Sequence, residues 1–133
     1  MIRVVADTHA LLWYLYNDAR LSATAMAFMD GIDQAGEQIA ISSITLAEMV
    51  YLIEKGKIPT PAFERIVAAL ELPNATLVEV PFDRAIASVM RQIDRGQVPD
   101  LPDRIVAATA IHCSVPVVSR DRKIRASSVT TIW

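Results

Sequence analysis

A single cysteine, Cys113, excludes an internal disulfide and any zinc site built on thiolates. It reads as filler for the core. Long apolar runs are missing as well: hydrophobic residues fill 53% of the 133 positions, yet no stretch approaches the roughly 20 unbroken apolar residues that a membrane-spanning helix needs. A soluble protein with some apolar surface left for a partner is expected. The opening Met1-Ile2-Arg3-Val4-Val5-Ala6-Asp7 sets a carboxylate where a secretory leader would continue its apolar stretch, and no small-residue cleavage site follows. The expected location is cytoplasmic, without membrane contact. A basic excess is lacking too, because 13 Lys and Arg against 15 Asp and Glu leave a net charge of −2. That is not the footprint of a protein that holds nucleic acid by bulk electrostatics. Any such contact must be local, and metal ions would reverse the sign at an acidic centre. Internal repeats and low-complexity tracts are absent, and the length suits one domain, residues 1–133.

Short β-branched runs occur at Ile2–Val5, Gln38–Ser42, Thr76–Val80, Pro116–Ser119 and Val129–Ile132, each too short for a helix and rich enough in Val, Ile and Thr for a buried strand. Between them the patterning predicts helices at about 9–16, 22–35, 45–56, 61–71, 83–94 and 102–113, with a short turn near 121–126. Strands alternating with helices predict an α/β fold, a five-stranded parallel sheet covered on both faces. Leu11-Leu12-Trp13-Tyr14-Leu15-Tyr16 is apolar on nearly every face of its helix, which suits either full enclosure or contact with another chain. Met26, Phe28 and Met29 pose the same choice.

The acids fall where strands give way to helices. Asp7 ends the first strand, Glu48 lies in the first turn predicted after the second, Asp103 opens the helix before the fourth, and Asp121 follows the fourth. In open parallel sheets the carboxyl ends of the strands share one edge, and ligands collect where the strand order reverses. If the first and fourth strands flank that crevice, Asp7 and Asp121 face each other across it. Each acid also has a simpler reading as a helix cap: Thr45-Leu46-Ala47-Glu48 has capping-box spacing, and Asp100-Leu101-Pro102-Asp103 reads as an N-cap with an acidic first turn. Capping does not explain four acids at one rim, where mutual repulsion costs stability unless cations compensate.

Oxygen ligands without a Cys/His cluster point to Mg²⁺ or Mn²⁺. Such ions activate water and stabilise the charge that builds on a phosphodiester, so hydrolysis of a phosphate ester is the natural reaction class. Thr8 and Ser119 sit close enough in sequence to hold water or a phosphate oxygen, against the simpler reading of local backbone hydrogen bonds. Arg120-Asp121-Arg122-Lys123-Ile124-Arg125 is a basic island that suits either a solvated face or a grip on RNA phosphates, with Arg120 and Arg122 as the contacts. Arg104 suits either an ion pair or a phosphate. His9 reads as a rim residue, and His112, beside the apolar Ile105–Ile111, as a satisfied structural histidine.

Four strings taken together, Val4-Val5-Ala6-Asp7-Thr8-His9-Ala10, Ile44-Thr45-Leu46-Ala47-Glu48, Pro102-Asp103-Arg104-Ile105-Val106-Ala107-Ala108-Thr109-Ala110 and Val117-Val118-Ser119-Arg120-Asp121, resemble PIN-domain toxins of the VapC type. The resemblance spans almost the whole chain. It implies a sheet of order 3-2-1-4-5 and an acidic pocket of Asp7, Glu48, Asp103 and Asp121 holding Mg²⁺ or Mn²⁺, with endonucleolytic cleavage of single-stranded or looped RNA. It also implies a homodimer and a cognate antitoxin protein laid across an apolar groove near the acids, with operator DNA reached only through that antitoxin. Ser119 stands where the family commonly carries threonine, which keeps the hydroxyl. An aspartate matching Asp100 is common in the family, as second-shell ligand or cap, and Asp103 is taken as the direct ligand.

Other readings predict different residues. A response-regulator receiver domain would carry paired acids after the first strand and a lysine closing the last strand segment, and a haloacid-dehalogenase-like phosphatase a second aspartate at position 9, where histidine stands. A catalytically inactive PIN-fold RNA-binding or scaffold protein would be expected to lack at least one pocket acid, and all four positions are acidic here.

Overall fold

The computed structural model describes every residue, Met1–Trp133. Five strands, β1 (Ile2–Ala6), β2 (Gln38–Ser42), β3 (Leu77–Val80), β4 (Val117–Val118) and β5 (Thr131–Ile132), form one parallel sheet in the order β3-β2-β1-β4-β5. Seven helices connect and cover them: α1 (Thr8–Leu15), α2 (Ala23–Gln34), α3 (Ser43–Glu54), α4 (Ala62–Glu71), α5 (Arg84–Val89), α6 (Leu101–Cys113) and α7 (Arg122–Arg125). The α/β class and the order 3-2-1-4-5 are as expected. No helix is long and apolar enough to cross a membrane.

Strand side chains alternate between faces, and the core divides accordingly. Val4, Ala6, Ile39, Ile41 and Val118 join one cluster with Leu11, Met29, Met49 and Ile66, while Val5, Ala40 and Val117 join the other with Ile86, Val106 and Ile124. Burying each of these larger side chains is worth about 1.5–3 kcal/mol. On the second face Ala107, Ala108 and Ala110 of α6 are fully buried, so small side chains let that helix settle close to the sheet. The first helix is largely enclosed by its own domain: Leu11, Leu12 and Trp13 are buried, and Tyr14, Leu15 and Tyr16 are half-buried.

Two glycines end helices in the same way. Gly36 and Gly56 have φ of +70° and +68°, a left-handed conformation that costs glycine little. After α3, the Gly56 N–H donates to Ile53 O at 2.9 Å and the Lys57 N–H to Leu52 O at 2.9 Å, the paired bonds of a Schellman motif. This stop sets the direction of the segment Lys57-Ile58-Pro59.

Three expectations change at α5 and α6. The helix expected over 83–94 ends at Val89 and tightens into a 3-10 turn, Met90–Gln92. His112 is exposed in the last turn of α6 rather than enclosed, and Cys113 is half-buried rather than core filler.

Candidate active site

Parallel strands bring their carboxyl ends to one edge, and β1 lies between β2 and β4 there. The chain leaves β1 towards β2 and β3 and later returns to β4 on the other side, so β1 and β4 flank the reversal of order. Asp7 and Asp121 follow these two strands. Each caps the helix it precedes: Asp7 accepts from the Ala10 N–H at 2.9 Å, and Asp121 from the Lys123 and Ile124 N–H groups at 2.8 and 3.1 Å. Capping and site membership therefore coexist, because one carboxylate oxygen can face the helix while the rest of the group lines the cavity.

Glu48 is better explained by the site than by a cap. Helix α3 starts at Ser43, with the Ser42 hydroxyl as its N-cap, accepting from the Ile44 N–H at 3.2 Å. Glu48 thus falls in the second turn, and the capping-box spacing from Thr45 is coincidental. Its carboxylate instead accepts from the Thr8 hydroxyl at 2.6 Å, and Thr8 lies 3.2 Å from the buried Thr45 hydroxyl. Thr8 is itself 3% exposed, so its hydroxyl holds Glu48 in place rather than standing open to a ligand. Thr8→Val should lower stability by about 1–3 kcal/mol, by leaving Glu48 and Thr45 without this partner. Denaturant unfolding should show a lower midpoint, with Thr8→Ser close to wild type.

Asp100 is the N-cap of α6, accepting from the Asp103 N–H at 3.2 Å. It also lines the cleft. Asp7, Glu48, Asp100, Asp103 and Asp121 share a cavity of about 360 Å³ with Thr8, His9, Trp13, Val106 and Arg120. The ion pairs in the chain are the N-terminus with Glu37 and Arg20 with Asp18, so none of the five carboxylates is neutralised by one. Burial, followed by repulsion from Asp100, Asp121, Glu48 and Asp7, pushes the Asp103 carboxyl up to about 7. Burial raises Asp7 and Glu48 as well, against the hydrogen bonds from Ser119 and Thr8 that lower them.

This donor set fits a hard divalent cation: five carboxylates, no thiolate, and a charge excess that a bound cation would relieve. As placed, no three of these side chains form a finished cage around one point. Asp7, Glu48, Asp103 and Asp121 are the residues that could hold such an ion.

The remaining residues of interest divide. Ser119 is fully buried, and its hydroxyl accepts from the Asp121 N–H at 3.0 Å, tying the turn that carries Asp121 to the end of β4. Arg120 lines the cleft with its guanidinium 4.5 Å from the centre of the Trp13 ring. Arg122 is exposed on α7 and is not part of the cleft wall. Arg104 turns elsewhere: its guanidinium donates to Met90 O and Ile93 O at 3.1 and 3.3 Å. In place of the expected phosphate contact or ion pair, Arg104 clamps the two ends of the 3-10 turn, at Met90 and at Ile93 just beyond it.

On sequence Trp13 belongs to a helix that suits either enclosure or contact with another chain; in the structure it also walls the cleft. Its ring also lies 5.7 Å from that of His9 and 5.9 Å from that of Trp133. Periodicity could not have separated a wall residue from a core one, because Trp13 is both.

The sequence model of the family described as PIN domain matches residues 4–128. Ribonuclease VapC22 of Mycobacterium tuberculosis is 26% identical over 136 residues, covering 100% of both chains. Among solved structures, the VapBC2 complex of Rickettsia felis bound to a promoter DNA fragment superposes with a TM-score of 0.71 at 18% identity, covering 98% of this chain and 97% of that one. DNA-bound VapBC of Salmonella typhimurium gives 0.68 at 22%, covering 98% and 97%.

Proposed function

The chain belongs to the PIN domain family, and from that premise we propose that it is a Mg²⁺- or Mn²⁺-dependent endoribonuclease, the toxin of a toxin–antitoxin pair. The observation that carries this reading is the group of five carboxylates, without an ion-pair partner among them, in one cleft at the strand-order reversal. Asp7, Glu48, Asp103 and Asp121 hold the cation. A divalent ion bound there supplies positive charge against the phosphodiester and makes water acidic enough to yield a nucleophile near neutral pH.

The chain's own residues do the rest. Thr8 fixes Glu48, and Ser119 fixes the backbone that presents Asp121. Arg120, seated on Trp13 at the mouth of the cleft, meets the phosphate, and exposed Arg122 extends the basic rim along the strand. Burial around Val106 and Trp13 keeps part of the cleft wall apolar, which strengthens electrostatic contacts made against it. Looped or single-stranded RNA is the substrate class, because unpaired bases can be splayed apart in a narrow cleft.

The VapBC complexes on DNA support an antitoxin partner through which operator DNA is reached, and the same reading includes a homodimer and a cytoplasmic location. Exposed Val50, Tyr51, Leu72, Phe82 and Leu101 provide apolar surface for such contacts.

Purified, partner-free protein incubated with total cellular RNA and Mg²⁺ or Mn²⁺ should give discrete new 5′ ends on sequencing, and EDTA should erase them. Folded protein that cuts nothing with either metal would replace the nuclease by an inactive RNA-binding relative.

A further inference from the structure

We infer that the cavity next to the acidic cleft is a nucleobase subsite, which takes the base of a nucleotide flanking the phosphate held at the carboxylates. The identity of the strand rests on the ribonuclease reading above. The two cavities share a wall, because His9 and Trp13 line both. The second encloses about 420 Å³, within the range of roughly 300–1,000 Å³ common for small-molecule sites.

Its chemistry suits a flat heterocycle. Leu12, Leu52 and Ile58 supply apolar surface beside the rings of Trp13 and Tyr16. Arg20 also lines it, lying 5.3 Å from the centre of the Trp13 ring and held by Asp18 through two bonds, Nε to Oδ1 at 3.0 Å and Nη2 to Oδ2 at 2.8 Å. A guanidinium whose charge is already matched and whose plane is fixed offers a stacking face rather than a phosphate grip, and bases stack on such planes.

Charge selects the occupant. Lys57 at this cavity and Arg120 at the neighbouring one enter no ion pair. These two cations, set on a continuous path past Trp13, match a strand with a phosphate on each side of its base.

The test uses the Asp7→Asn protein with EDTA, so that binding is read without turnover. The four nucleoside 5′-monophosphates are titrated by NMR, with ribose 5-phosphate as the control that lacks a base. At least one nucleotide should shift amides of residues 12–20 and 52–59, and ribose 5-phosphate should not. Ile58→Trp, which fills the cavity from a half-buried position, should weaken that nucleotide by roughly tenfold or more, the scale of one lost base stack. Leu52→Trp, which fills the same cavity from another half-buried wall position, should weaken it as well. Equal shifts with ribose 5-phosphate, or nucleotide affinities untouched by both variants, would overturn the subsite. Absence of nucleotide binding in a protein that still cuts RNA would overturn the subsite alone and assign the cavity to a protein segment. Nucleotide binding by a protein that never cuts would leave the subsite standing and remove the ribonuclease reading.

Discussion

Asp7→Asn should reduce metal-dependent RNA cleavage by on the order of a thousandfold, as expected when several kcal/mol of charge stabilisation is lost, while the protein keeps its fold. The two halves of that result have separate causes. Asparagine caps a helix about as well as aspartate, so the bond from the Ala10 N–H to position 7 survives the change. The charge removed is one that burial and the nearby Asp121 oppose, so the melting temperature should hold or rise in the absence of metal. A variant that loses activity together with its thermal transition would show Asp7 to be structural. One that keeps full activity would take Asp7 out of the catalytic set.

The second large effect is on stability against pH. Without metal, the folded protein holds the Asp103 proton until about pH 7, against an ordinary value of 3.8. The unfolded chain releases it earlier, so between those two values the folded state binds more protons and stability falls as pH rises. Asp7 and Glu48 shift in the same direction and add to the fall. The EDTA-treated protein should therefore melt at a higher temperature near pH 5 than near pH 8. Mg²⁺ should restore most of the difference at pH 8 and add little at pH 5, where Asp103 is protonated. Asp103→Asn should flatten the profile. A melting temperature that is constant from pH 5 to 8 and indifferent to Mg²⁺ would show that the carboxylates do not repel one another as their placement requires.

Much of this arrangement could be read along the chain because local physics and tertiary structure agree. The strands announce themselves by β-branched runs, and both faces of the sheet are buried, so apolar residues appear consecutively instead of alternating with polar ones. The terminal strands are shorter than the runs that predict them. Pro116 has no N–H to extend the ladder, although its carbonyl still accepts from the Val5 N–H at 3.0 Å. Around Glu48, Ser42, Ser43 and Thr45 are all competent caps, and sequence could not choose among them; the choice is made by β2 running directly into α3. That single register difference moves Glu48 from the first turn to the second.

What could not be read depends on contacts between distant segments. Arg104 adjoins a site acid and looks like a phosphate ligand until the carbonyls at 90 and 93 are brought to it. The second cavity likewise needs α1 to meet the end of α3 and the segment at 57–59. Neither segment carries a motif. On sequence Asp100 suits either a helix cap or a place beside the metal ligands, and in the structure it is a cap that also faces the cleft.

The pairing of β1 with β4 has a consequence for biosynthesis. Asp7 is made more than a hundred residues before Asp121, and β1 long before β4 and its neighbour β5. The Ser119 N–H, beside the acid it helps present, bonds to Ile132 O at 3.3 Å, so this side of the cleft is anchored by residues at the far end of the sequence. Chain entropy must be lost across nearly the full length before that contact returns anything. During translation the polypeptide therefore lacks a complete carboxylate pocket until β4 and β5 have been made and have paired with β1.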